Sequence, residues 1–113
     1  MYSIQRTPQY DMQDLLNLIL NEGAQRLVLR VGSPPVIYLH DEEDMIEGPD
    51  VTRENAAELF HSLATPEQVR ELDSCGDVRF IYTSPNAAKF GVTAQIEHDD
   101  MTLGIRNLAL PGA

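Results

Sequence analysis

Residues 89–106 read KFGVTAQIEHDDMTLGIR, and their pattern decides the fold class. Phe90, Val92, Ala94 and Ile96 alternate with polar or small residues, the two-residue period of a strand that buries one face. Glu97-His98-Asp99-Asp100 interrupts that pattern with turn residues, and Met101, Leu103 and Ile105 then run back as a second strand. The stretch predicts an antiparallel hairpin. Immediately upstream, Val78, Phe80 and Tyr82 alternate as a further strand, so the carboxy-terminal third reads as a block of three strands.

The rest of the chain reads outward from this block. Asp11 suits a helix N-cap, Met12, Leu15, Leu16 and Ile19 recur at helical spacing, and Leu18 and Leu20 widen the apolar face. Gly23 supplies the stop, which predicts a helix over 11–22. Leu27, Leu29 and Val31 then alternate with Arg26, Val28 and Arg30, which is strand spacing with one largely polar face. Gly32-Ser33-Pro34-Pro35 breaks this strand, because neither proline can donate to a ladder, and Val36–Leu39 resumes it. Thr52 opens a second helix whose apolar side is Ala56, Ala57, Leu59, Phe60 and Leu63. Thr65-Pro66-Glu67-Gln68 has a capping-box pattern and starts a third, short helix ending at Gly76. Strands and helices fall in blocks. The predicted class is α+β, with three helices and a mostly antiparallel sheet of five to six strands in the order α-β-β-(β)-α-α-β-β-β.

Residues 41–50 hold six of the 18 acids and no base. This predicts an exposed loop around a short edge strand at Met45-Ile46. Without that run the net charge of −10 falls to −4, so the acidity is concentrated. A chain this acidic repels phosphate backbones and anionic lipid, which argues against nucleic-acid and membrane-surface binding. No apolar run approaches the roughly 18 residues of a membrane span. Asp11 and Asp14 break up the segment where a signal peptide would need an apolar core. The expected compartment is the cytoplasm. At 113 residues the chain has the length of one domain, expected over 11–110, with a flexible lead-in at 1–10 and a linker-like tail at 111–113.

The motifs of enzyme chemistry are missing. The seven glycines are nowhere closer than eight residues apart, and Lys89, the single lysine, follows Ala88 and precedes Phe90. A phosphate loop needs clustered glycines and a lysine followed by Ser or Thr, so neither it nor a dinucleotide fingerprint is present. Cys75 is the one cysteine, which excludes an internal disulfide and a cysteine-based zinc site. His40-Asp41-Glu42-Glu43-Asp44 and His98-Asp99-Asp100 contain metal-ligating types, but match no EF-hand spacing and read as solvated acidic turns. No catalytic residue, cofactor site or metal site is expected. The basic residues offer more. Arg26 and Arg30, four apart on a strand, share one face, while Lys89 and Arg106 lie on the two strands of the terminal hairpin. Arg26, Arg30, Lys89 and Arg106 are therefore the candidate partner contacts, a basic stripe that could meet an acidic partner surface. The simpler reading of the same residues is local pairing with the chain's own carboxylates.

Taken in order, these segments resemble a known family. Leu15-Leu16, Gly23-Ala24, Leu27-Val28-Leu29 and Gly32-Ser33-Pro34-Pro35 resemble the start of the twitching-motility (type IV pilus) and type II secretion ATPases. There the amino-terminal segment runs from an apolar helix through Gly-Ala-Ser-Asp-Leu-His-Leu to Gly-x-Pro-Pro. The resemblance continues through Thr52–Leu63, Thr65–Gln68 and the Phe80–Tyr82 strand. It closes with Lys89-Phe90-Gly91-Val92 where the family has Arg-Phe-Arg-Val, and with Ile105-Arg106 where it has Leu-Arg-x-Ile-Pro. It implies a PAS-like amino-terminal domain, which in those hexameric motors precedes the ATPase domain, packs against a neighbour and contributes basic groups near the nucleotide. Several polar positions depart from the pattern: Gln25-Arg26 and Val28 replace Ser-Asp and His, and Lys89 and Gly91 replace the two arginines. The expectation is a stand-alone, non-catalytic interaction domain that binds a motor ATPase or another copy of itself, with a homodimer allowed. The alternatives are a small-molecule-sensing PAS-like module and a degenerate remnant without a partner.

Overall fold

Asp11 caps the first helix through its carboxylate, which accepts the Asp14 backbone N–H at 3.2 Å. The helix, α1 (Met12–Glu22), ends on Gly23 in the left-handed region at φ 66°. The Gly23 N–H donates to the Leu20 carbonyl and the Ala24 N–H to that of Ile19, the paired closure of a Schellman motif. In the computed structural model, which describes residues 10–40 and 42–108, α1 is followed by β1 (Arg26–Arg30), β2 (Val36–Leu39), β3 (Glu42–Met45), α2 (Arg53–Leu63), α3 (Pro66–Cys75), β4 (Asp77–Thr83), β5 (Lys89–Glu97) and β6 (Asp100–Asn107). The lead-in expected at 1–10, apart from Tyr10, and the tail at 111–113 lie outside the described residues, as do Asp41 and residues 109–110. Thr52 caps α2, and Thr65 with Gln68 forms the reciprocal capping box of α3.

The six strands form one sheet in the order β3-β2-β1-β6-β5-β4, every neighbouring pair antiparallel. This is the α+β architecture and element order read from the sequence. The β5–β6 connection is a two-residue loop, His98-Asp99, with φ of 52° and 69°. Positive φ at both positions matches the right-handed twist of the strands it joins.

One cluster forms the core. Leu15, Leu16 and Ile19 of α1, Leu59, Phe60 and Leu63 of α2 and Leu72 of α3 meet Leu27, Leu29, Ile37, Phe90, Val92, Ala94, Leu103 and Ile105 of the sheet. Each large side chain withdrawn from water there contributes roughly 1.5–3 kcal/mol. Val28 and Val36 are also buried but stand apart from this cluster, because alternate residues of a strand point to opposite faces. The core cluster therefore occupies one face of the sheet only. Ile96, in register with Met101 near the end of the hairpin, keeps the core parity yet is 42% exposed.

The edge strand differs from expectation. It spans Glu42–Met45 rather than Met45-Ile46, and all four of its residues are exposed. The register with β2, from Leu39↔Glu42 to Val36↔Met45, explains the shift. Backbone pairing directly after the Leu39 turn selects the strand, and at an edge the carboxylates remain in water. The acidic segment is also tied to the entry of α1. The Tyr10 hydroxyl donates to the Pro49 carbonyl at 2.6 Å, while Tyr10 N–H and C=O exchange hydrogen bonds with the buried Asn55 amide at 2.9 and 3.1 Å. A side chain at Gly48 would run into the Tyr10 hydroxyl, 2.6 Å from where its Cβ would lie.

Ala87 holds φ at 70° in the turn between β4 and β5, a conformation that glycine adopts without the Cβ penalty. Ala87→Gly is expected to raise stability by about 0.5–1 kcal/mol, read as a higher urea midpoint at unchanged slope. Burial, and then the nearby Asp50 carboxylate, raise the Tyr10 pKa above its ordinary value of 10.0. A raised phenol pKa contributes stability below pH 10 that is lost as pH climbs through the folded value. Tyr10→Phe should flatten that alkaline loss while lowering stability at neutral pH by about 1 kcal/mol through the lost hydrogen bond; thermal melts across pH 7–11 read both.

Candidate functional site

The helix-free face of the sheet carries the candidate site. Cross-strand register defines three rows on it. The first runs Tyr38–Arg26–Arg106–Gly91–Ile81, the second Val36–Val28–Gly104–Thr93–Arg79, and the third Arg30–Thr102–Gln95–Asp77. A concavity of about 600 Å³ opens over these rows, and four of the chain's seven arginines line it: Arg26, Arg30, Arg79 and Arg106. Ile81, 65% exposed, and Leu108, 38% exposed, provide apolar surface on its rim.

Three of the four basic residues read from the sequence come together here. Arg26 and Arg106 stand directly opposite one another on β1 and β6, and Arg30 follows on the same face. Lys89 has the same parity but lies at the far end of β5, opposite Thr83, outside the residues lining the concavity. Arg79 is the contributor that sequence reading missed. Its alternation with Val78 and Phe80 already turned it away from the core, but only the β4–β5 pairing brings it beside Thr93.

The electrostatics of this face are unusual for an acidic protein. Among the described residues the ion pair within 4 Å is Arg53–Asp100 at 2.7 Å, which joins α2 to the start of β6. No carboxylate among the described residues is that close to Arg26, Arg30, Arg79 or Arg106. Among the described residues, then, these arginines are not locally paired with carboxylates. Arg26 instead rests over the Tyr38 ring, 4.2 Å from its centroid, a cation–π contact worth about 0.5–1 kcal/mol at an exposed site. Like charges directly opposite on adjacent strands are destabilising, so the Arg26–Arg106 pair works against the fold. Guanidinium forks are suited to bidentate contact with carboxylates or phosphates, and they do not transfer protons near neutral pH. The residues lining the concavity include no carboxylate, imidazole or thiol, and Asp77 lies at the end of the third row, outside that lining.

Among the described residues the other titratable groups do not gather into a second cluster. No group of three or more His, Cys, Asp or Glu among the described residues could hold a metal ion. Asp100, from the His98-Asp99-Asp100 turn, is engaged by Arg53. Cys75 is exposed at the end of α3. No helix among the described residues is long and apolar enough to cross a membrane.

No protein-family model matches this chain, and no curated protein matches it. Solved structures do. The crystal structure of the pilus retraction motor PilT with bound ADP superposes with a TM-score of 0.80 at 18% identity, over 93% of this chain and 30% of that one. The fold is one that motor ATPases carry. The Legionella pneumophila ATPase DotB matches with a TM-score of 0.73 at 18% identity, over 90% of this chain and 30% of its own. The Yersinia pseudotuberculosis ATPase DotB matches with a TM-score of 0.69 at 11% identity, over 95% and 33%. The present chain thus spans about a third of the length of each of these ATPases. At these identities the likeness is one of fold, and it is the fold that the resemblance in the sequence implied.

The opposed arginines yield a prediction about the free protein. Arg106→Thr removes the like-charge pair and places a β-branched residue in a strand. It is expected to stabilise the chain by about 0.2–1 kcal/mol at low salt, with the gain shrinking as salt screens the repulsion. Paired denaturation curves at low and high ionic strength read this directly.

Proposed function

We propose that this chain is a non-catalytic protein-interaction domain, related to the amino-terminal domain of pilus and secretion motor ATPases, that docks a protein partner on its helix-free sheet face. One observation carries the reading: four arginines, none with a carboxylate partner within 4 Å among the described residues, gathered over one concavity on a chain of net charge −10. Keeping like charges together in the middle of a sheet is unfavourable in the free protein and becomes favourable once an acidic surface covers them. The fold likeness supports a motor ATPase as the partner to examine first, with a second copy of the chain as the other. Such a domain would modulate a motor from the cytoplasm and would need no cofactor of its own. The ligand-sensing alternative is less well supported, since the concavity of about 600 Å³ lies open across a sheet face, whereas small-molecule sites bury most of their ligand.

The test is co-purification of the tagged chain with purified full-length pilus and secretion ATPases of the same organism. Association is expected with at least one, weakened by roughly tenfold or more in Arg26→Glu/Arg106→Glu, because reversing a charge opposite an acidic partner surface costs several kcal/mol. Binding to none of them, or equal binding by the charge-reversed variant, would remove the reading.

A further inference from the structure

We infer that the arginine-lined face is shaped for an acidic amphipathic α-helix of the partner, lying across the strands; this rests on the docking role proposed above. Three observations lead to it, beginning with the glycines. Gly91 and Gly104 sit in the interiors of β5 and β6, where glycine is destabilising by roughly 0.5–1 kcal/mol relative to alanine. Neither has a positive φ, and a Cβ built at Gly104 meets nothing nearer than the Thr93 carbonyl oxygen at 3.9 Å, while one at Gly91 makes ordinary contacts from 3.7 Å. The free fold therefore has room for side chains at both positions. The β5–β6 register runs unbroken through both glycines, so neither marks a bulge, and the usual role left for such a strand glycine is the close approach of a ligand or another backbone.

The second observation is the shape this produces. The middle row, Val36–Val28–Gly104–Thr93, forms a low floor that ends at Arg79. Arg26 and Arg106 stand on one side of it, and Arg30 stands on the other. Residues Arg26 and Arg30 are four apart on one strand, hence about 13 Å, close to the 10–12 Å diameter of an α-helix with its side chains. Crossing the four strand intervals from β2 to β4 takes about 19 Å, or roughly 13 helical residues.

The third observation is charge spacing. Directly opposed residues on neighbouring strands, such as Arg26 and Arg106, lie about 4.5–5.5 Å apart. Residues at positions i and i+4 of a helix have their Cβ atoms about 5–6 Å apart, so two glutamates placed there have matching spacing. One flank of the incoming helix can thus satisfy both guanidinium groups, and a carboxylate on its other flank can reach Arg30. Small residues on the helix face between them would rest on Gly104. A second copy is a poorer occupant. The strand order is symmetric about the β1–β6 boundary, so two copies packed face to face around it bring their Arg26 and Arg106 side chains together.

An amide-resolved NMR titration of the full chain tests this, using a helix-biased peptide of about 13 residues with glutamates on both flanks of an alanine–leucine stripe. Saturable shifts are expected at Val28, Gly91, Thr93 and Gly104, with affinity falling roughly tenfold or more as salt rises from low ionic strength to about 0.5 M. A lysine-for-glutamate peptide should leave these amides unmoved. Gly104→Val should weaken binding by roughly tenfold without lowering the melting temperature, as a β-branched residue suits a strand. Gly104→Ala, which fits the space present, serves as the milder variant. Four outcomes would overturn the inference: no shift with the acidic helix, equal shifts with a proline-interrupted peptide of the same composition, the same shifts from inorganic phosphate, or their appearance on raising protein concentration alone. If charge reversal at Arg26 and Arg106 abolishes co-purification with a motor while the helix leaves these amides unmoved, the docking face stands and the helical occupant falls.

Discussion

The register of the β5–β6 hairpin is the constraint on which the other features rest. The two-residue His98-Asp99 loop sets Glu97 opposite Asp100, and each pair down the ladder follows from that. A slip of one residue would exchange the two faces of a strand. In the observed register Phe90, Val92, Ala94, Leu103 and Ile105 enter the core, and Gly91, Thr93, Gly104 and Arg106 face outward. Because β1 pairs with β6 through Leu27↔Ile105 and Leu29↔Leu103, the same register also decides that Arg26 stands beside Arg106. Core and candidate site are two sides of one alignment.

Charge is distributed with the same economy. The carboxylates of residues 42–47 occupy and follow the edge strand β3, where both faces are exposed and a row of acids discourages pairing with another sheet. Tyr10, Asn55 and Pro49 hold the end of this acidic segment near α1. The arginines lie toward the middle and opposite edge of the sheet. The protein is thus acidic overall and locally basic on one face, and screening confines the influence of each patch to about 10 Å at moderate salt. The acidic partner proposed above would therefore meet the arginines without first overcoming the whole net charge.

Much of the fold was legible in the sequence because its signals are local. Asp11 and Gly23 delimit α1, Thr65 and Gln68 cap α3, and period-two alternation marks β4, β5 and β6, each through interactions spanning a few residues. The edge strand was misplaced by a few residues because β3 has no buried face, so no periodicity reports it; its position comes from pairing with β2. The site was half legible. Alternation put Arg26 and Arg30 on one face, but Arg79 joined them, and Lys89 left the group, through strand pairings that join distant parts of the chain. Ile96 shows the reverse limit, since its alternation is correct and its exposure follows from lying at the hairpin end.

By itself, then, the sequence determined the elements, their caps, the class of fold and the excess of acid, because these depend on neighbours within a turn or two of the chain. It also determined which face of β4, β5 and β6 is apolar, through their period-two alternation. Only the tertiary structure decided the strand order, and with it which outward-facing residues become neighbours. Register carries residues from β1, β4, β5 and β6 onto one surface, where Gly104 leaves the floor low between Arg26 and Arg106 on one side and Arg30 on the other, and Gly91 continues the row of Arg26 and Arg106. Contacts between residues tens of positions apart are set by backbone hydrogen bonds and shared burial, and neither leaves a mark in the local pattern.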